Sequence, residues 1–518
     1  MPFRFFKFQN FNSFSKILFI ITNKRNFMHQ LEKHFEYFRA NTIGNELIFE
    51  TPYGSKKIIY ADWIASGRLY RPIENHIANV FGPYVGNTHT ETSETGTLMT
   101  KAYHHAHNLI KKHVNAGPND VIITAGAGMT TVVNKMIRIL GLKTCGMIQK
   151  KDCIQKTERP IVFISHMEHH SNHTSWLEAN VDVVILKPNK ELLVDLDELR
   201  YQLEKFKDRN FKIGSFTACS NVTGIETPYH EMAKIMHEHG GVAFIDFAAS
   251  APYVDIDMHP ADDEMKKLDA IFFSPHKFLG GPGSSGVLIF DQTLYKNVTP
   301  DNPGGGTVDW TNPWGEYKYI DDIEVREDGG TPGFLQAIRT ALAIEVKNQM
   351  GTETMRKREH LLVKRTFAEF RKIDGVKILA DNVEDRLGVF SFFLENVHFN
   401  LVVKLLNDRF GIQVRGGCAC AGTYGHFLLD VSYEKSKKIT DLINHGDLSE
   451  KPGWIRASLH PTMTDWELDT LIEGVTAVAQ NHRKWSKDYI YNKHTNEFRH
   501  KDELEDKTVI VKPWFKLD

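Results

Sequence analysis

Between residues 120 and 290 the chain alternates short apolar runs with longer stretches of helical periodicity. The runs are DVIITAGAG, RPIVFISHMEHH, KIGSFTACSN, GGVAFIDFAAS, DAIFFSPHK and GSSGVLIF. Four to eight apolar residues bounded by Gly, Pro or polar turns suit strands buried on both faces of a mostly parallel sheet. Between two of the runs lies PYHEMAKIMHEHGG, which places Met232, Ile235 and Met236 on one face and Gly240 at the stop. That pattern predicts a crossover helix, so the expected class is α/β.

A second region opens near residue 340 with one long helical stretch, LQAIRTALAIEVKNQMGTETMRKREHLLVKRTFAEF. The strand-like LGVFSFFL follows, then a further helix and FGIQVRGGCACAG. The expected organisation is a basic N-terminal extension (1–31), a segment joining the small domain (32–84), a large domain (85–335), a small α+β domain (336–485) and a polar surface tail (486–518).

Composition narrows the classes of partner. Of 518 residues 41% are hydrophobic, and 63 basic residues nearly cancel 65 acidic ones. Such a balance offers no field for nucleic acid or an anionic membrane, which leaves a small molecule as the expected ligand. Five cysteines in so long a chain suit free thiols in a reducing compartment rather than a disulfide scaffold. The first 31 residues carry Arg4, Lys7, Lys16, Lys24 and Arg25 with no acid before Glu32. The apolar stretch ILFII is too short to span a bilayer. The expectation is an extension upstream of Met28 on a cytoplasmic protein, with an organellar transit peptide as the alternative.

Ligands of such sheets bind at the carboxyl ends of the strands, and His169, Asn221, Asp246 and Lys277 all fall where a strand is due to end. A lysine within FFSPHKFLGG is costly to bury as a free ammonium. An imine with an aldehyde cofactor removes that cost. Lysine for a Schiff base, aspartate for a pyridine nitrogen and a Gly-rich turn opening a helix are the parts that hold pyridoxal 5′-phosphate. Gly128, Met129 and Thr130 would meet its phosphate and His169 would stack on its ring. Each part has a plainer reading as tight packing, a helix cap or a snorkelling lysine. The histidines of HHAH and HHSNH lack a matching acid or Cys cluster, so no metal site is expected.

DFAAS, SPHKFLGGPGSSG, MEHHSN, SNVTG and RGGCACAG together resemble the class V group of fold-type I pyridoxal-phosphate enzymes, in particular its cysteine desulfurase and selenocysteine lyase branch. The resemblance spans about residues 58–480. It implies a homodimer with the active site between subunits, and a sulfur-acceptor protein as partner. It makes Lys277 the Schiff-base lysine, with Ser274 and His276 at the phosphate, and Asp246 at the ring nitrogen. Asn221 lies near the ring hydroxyl and the substrate, and Thr331 reaches across from the partner subunit. Arg456 resembles the clamp for the substrate carboxylate, Arg415 the second family arginine, and Cys420 rather than Cys418 falls on the position of the nucleophilic thiol. The chain departs from the family where DGAQ is replaced by Asp246, Phe247, Ala248 and Ala249, and in its long stretch from Cys420 to Arg456. The implied activity is removal of sulfur or selenium from cysteine or selenocysteine, leaving alanine. The alternatives are a class V aminotransferase, epimerase or kynureninase-like lyase, and a cofactor-free binding protein.

Overall fold

The computed structural model describes residues 30–88, 90–143, 158–503 and 507–517. The expected N-terminal extension therefore lies outside the described residues, save its last two. Seven strands form the main sheet: β1 (Asp120–Ala125), β2 (Ile161–Ile164), β3 (Asp182–Ile185), β4 (Lys212–Thr217), β5 (Val242–Asp246), β6 (Ala270–Phe273) and β7 (Gly286–Asp291). Their order is β1-β7-β6-β5-β4-β2-β3. β2 to β6 run parallel, and β7 pairs antiparallel with both β6 and β1. The fold is thus α/β with a mostly parallel sheet, as the runs predict. β4 and β6 are buried at every position, whereas the edge strand β3 is half-exposed throughout. Its run VVIL, residues 183–186, is short, and the sequence reading passed over it.

Helices pack on both faces of the sheet. α1 (Met129–Ile139) follows β1, α2 (His170–Leu177) follows β2, and α3 (Tyr229–Glu238) is the predicted crossover with Met232, Ile235 and Met236 buried. The single long helix expected after residue 335 is two helices, α4 (Phe334–Met350) and α5 (Thr352–Phe370). Gly351 between them has φ +75°, a conformation that ends a helix and that glycine adopts without steric cost.

A second core surrounds an antiparallel sheet of β8 (Val376–Ile378), β9 (Val389–Leu394), β10 (Arg415–Gly417) and β11 (Trp454–Ser458), in the order β8-β9-β11-β10. The N-terminal segment ties the two cores together. Ile59–Tyr60 pairs in parallel with Ile412–Gln413, and the Gly67 N–H donates to the His276 carbonyl at 2.9 Å. α6 (Asp465–Trp485) buries Leu468, Leu471, Val475 and Val478 in the second core. The tail beyond it is less superficial than its composition suggests. Tyr489 and His500, on a hairpin of Tyr489–Asn492 and Glu497–His500, are buried, and the Tyr489 hydroxyl donates to Asp408 at 2.9 Å. Among the described residues no helix is long and apolar enough to cross a membrane.

Candidate active site

The carboxyl ends of β2, β4, β5 and β6 open into a cavity of about 380 Å³, walled on its far side by β10 and β11 of the small sheet. Gly128, Met129, Thr130, His169, Asn221, Asp246, Ser274, His276, Lys277, Arg415, Cys420 and Arg456 all line it. Its volume falls in the range of roughly 300–1,000 Å³ usual for small-ligand sites. Thr331 is not among the lining residues. It is exposed, and its hydroxyl donates to Asn87 Oδ1 at 3.3 Å.

At one end, Gly128 to Thr130 begin α1, and the Met129 N–H donates to the Ser274 hydroxyl at 2.9 Å. A Cβ on Gly128 would stand 3.1 Å from that hydroxyl and 3.4 Å from the His276 ring, so glycine keeps this corner open. A helix start with free N–H groups and a hydroxyl suits a phosphate. Thr130 Oγ1 lies 2.6 Å from Ser171 Oγ, and the Ser171 N–H donates to His169 Nδ1 at 3.1 Å. Nδ1 is thus the acceptor of the ring. Burial and the Lys277 charge lower the His169 pKa to about 3, so the imidazole is neutral with its proton on Nε2.

At the other end, Asp246 closes β5 and accepts a hydrogen bond from the Ala248 N–H at 2.8 Å. Burial raises its pKa to about 6, against the Ala248 N–H and the Lys277 charge, which lower it. Lys277 sits on a single 3-10 turn after β6. Burial lowers its pKa to about 8, while Asp246 favours the charged form and Arg456 opposes it. Lys277 lines the cavity, so a ligand there can reach its amine. A buried carboxylate, an amine, a neutral histidine and an anion-binding corner lining one cavity match the donor set that pyridoxal phosphate needs. Asn221 adds a buried Oδ1 that has no protein partner.

Arg415 and Arg456 face each other directly across β10 and β11. Like charges so placed repel, and Asp62 sits between them. Its carboxylate accepts from Arg456 Nη2 at 2.9 Å and pairs with Arg415 Nε at 3.2 Å. Arg456 also donates from Nη1 to the Asn221 carbonyl at 3.2 Å, and its buried Nε has no partner. One carboxylate against two guanidiniums leaves net positive charge for a second carboxylate. Sequence reasoning passed over Asp62, whose only local signal is a strand-like stretch ending in YADW. It also passed over Glu168, which ties the His169 turn to β4. Glu168 accepts from the Ser165 hydroxyl at 2.6 Å, Asn172 Nδ2 at 2.7 Å and the Thr217 N–H at 2.9 Å.

The two cysteines of RGGCACAG part company. Cys418 packs against the cluster of Met167, Val222, Tyr424 and Trp454, whereas Cys420 is exposed and lines the cavity. Ala248 and Ala249 also line it, Ala249 standing where DGAQ has its glutamine. Ser250 is buried with an unpartnered hydroxyl outside that lining.

A mostly parallel α/β sheet with this site at its strand ends is the architecture that the resemblance implies. The model of the aminotransferase class-V family matches residues 59–471, and the chain belongs to that family. A protein named "Probable cysteine desulfurase" from Halalkalibacterium halodurans is 26% identical over 382 residues, covering 72% of this chain and 86% of that one. Another so named, from Staphylococcus epidermidis, is 28% identical over 378 residues, with 72% and 86% covered. Among solved structures, the apo form of a cysteine desulfurase from Thermococcus onnurineus aligns with a TM-score of 0.65 at 22% identity, covering 82% of this chain and 95% of that one. A cysteine desulfurase from Escherichia coli aligns with a TM-score of 0.62 at 22% identity, covering 81% and 94%.

Proposed function

We propose that this protein binds pyridoxal 5′-phosphate and removes sulfur, or selenium, from a small L-amino acid of the cysteine type, leaving alanine and a persulfide on Cys420. The observation that carries the reading is the meeting of Lys277, Asp246 and Cys420 on the walls of one cavity. When bound, the cofactor supplies an electron sink conjugated to the substrate's α-carbon.

The protein's own groups do the rest. Lys277 holds the cofactor and, with an amine near neutrality, accepts and returns the α-proton. Asp246 would keep the pyridine nitrogen of a bound cofactor protonated, and His169 would stack on its ring. Gly128, Met129, Thr130, Ser274 and His276 hold the phosphate. Arg456, with Arg415 beside it, binds the substrate carboxylate, a bidentate task suited to a guanidinium. Cys420 attacks the substrate sulfur as a thiolate, forming an S–S bond as the C–S bond breaks. The electron pair stays on the β-carbon, which takes a proton, so cysteine becomes alanine without an external oxidant. An exposed thiol can then pass its sulfur to an external thiol or an acceptor protein.

We also propose a homodimer in which Thr331 serves the partner's cavity, since it stands outside its own. Trp310 and Trp314, 48% and 84% exposed on the nearby hairpin of Val308–Thr311 and Tyr317–Tyr319, suit a covered surface. Free cysteines among the described residues favour a reducing compartment such as the cytoplasm. Ala249, where DGAQ has glutamine, favours a second reading, a class V transferase or lyase on another amino acid.

Product analysis separates the two. Purified protein supplied with the cofactor, L-cysteine and a reductant is expected to release equal amounts of sulfide and alanine, and Cys420→Ala to abolish this while Cys418→Ala does not. Turnover of another amino acid, with cysteine left intact, would select the second reading.

A further inference from the structure

Cys420 stands in an unusual backbone. The Ala421 N–H donates to the Cys418 carbonyl at 3.0 Å, closing a four-residue turn. Its central residues, Ala419 and Cys420, have φ +50° and +56°. Two successive positive φ values are the type I′ pattern, which strongly prefers Asn-Gly or Gly-Gly. Alanine and cysteine there each carry a steric penalty of roughly 1–2 kcal/mol. Glycines lie close by at 416, 417 and 422, yet the two strained positions have none. Such a conformation persists only where its surroundings hold it.

The surroundings that hold it come largely from α2. The His170 N–H donates to the Cys420 carbonyl at 2.7 Å, and His170 Nε2 accepts from the Gly422 N–H at 2.9 Å. One residue thereby grips the turn on both sides of the thiol. A turn further along the helix, His173 Nδ1 lies 3.4 Å from the Thr423 hydroxyl. Asn221 Nδ2 donates to the Ala419 carbonyl at 2.7 Å from the opposite side. The adjacent histidines of MEHHSN thus divide their work, His169 facing the cavity and His170 facing the cysteine turn.

We propose that His170 is a positioning residue that keeps the strained Ala419–Cys420 turn in the conformation presenting the thiol to the cavity. This inference rests on the reading of Cys420 as nucleophile, but the hold itself can be measured without turnover. Losing the Nε2 acceptor frees the Gly422 N–H and lets the turn relax. Glutamine, whose Oε1 reaches about as far as Nε2, restores an acceptor.

The test compares full-length wild type, His170→Ala and His170→Gln by amide hydrogen exchange over the segment around residues 415–428 and by cysteine turnover. His170→Ala is expected to exchange this segment roughly tenfold faster while other segments are unchanged. Its kcat for alanine release should fall roughly ten- to a hundredfold with KM little altered, because a displaced nucleophile costs rate rather than affinity. His170→Gln should resemble wild type in both. Wild-type exchange in His170→Ala, or no rescue by glutamine, overturns the proposal. Wild type that leaves cysteine intact overturns the functional reading alone. If His170→Ala does not fold, the comparison of wild type with His170→Gln and His170→Phe decides, phenylalanine being expected to behave as the loosened form.

Discussion

Lys277 carries an amine that burial holds at about 8, where an ordinary lysine titrates at 10.5. The charged form is the one disfavoured, so reactivity rises with pH through about 8 and then levels. Competitive acetylation of cofactor-free protein, read lysine by lysine, should find the half-maximal rate of Lys277 near pH 8 and those of surface lysines well above it. Asp246 favours the ammonium, so Asp246→Asn should move the midpoint lower still; an upward shift would contradict this electrostatic account. Lys277, Asp246 and His169 were legible in the sequence because each follows a buried strand at the edge where such sheets bind ligands. Asp62 was not, since its partner Arg456 is 394 residues away. Nor could spacing reveal that Cys420 occupies a left-handed turn, because the residues there are not the glycines that announce one.

The turn that carries Lys277 is fixed by backbone packed directly on backbone. A Cβ on Gly67 would lie 1.9 Å from the Phe278 carbonyl oxygen, and one on Gly281 1.8 Å from that of Pro275. The N-terminal segment is therefore a strap across residues 274–281 that admits no side chain. Gly67→Ala should destabilise the protein by about 1–3 kcal/mol through overpacking and weaken cofactor retention, because the displaced main chain bears the lysine. Gly305→Ala, which meets nothing within 4 Å, is the control expected to leave both unchanged. Thermal unfolding and cofactor absorbance after dialysis measure the two effects. Buried strands announce themselves by short, largely apolar runs, and six of the seven strands of the main sheet were read this way. The edge strand β3 carries a run of its own, VVIL, that was passed over, and the break at Gly351 was hidden because a glycine within helical periodicity reads equally as tolerated or terminal.

Across the whole chain, the cavity assembles from parts distant in sequence: the main sheet supplies Asp246 and Lys277, the small sheet Arg415, Arg456 and the cysteine turn, and the N-terminal strap Asp62. Thr331 is the one candidate residue left outside this convergence. If it acts within its own subunit, the segment of residues 329–333 would have to move to reach the cavity; if it acts in a dimer, no movement is needed. Mixing two inactive variants distinguishes these cases. In a heterodimer of Lys277→Ala with Thr331→Ala, the first subunit lends an intact Thr331 to the second, which keeps its own Lys277. One of the two sites is then complete. Random pairing makes half the dimers mixed, so about a quarter of wild-type activity should return after co-refolding or subunit exchange, as expected for reciprocal contacts across a two-fold interface. Thr331 acting within its own subunit would give no recovery, since every lysine-bearing site would lack its threonine.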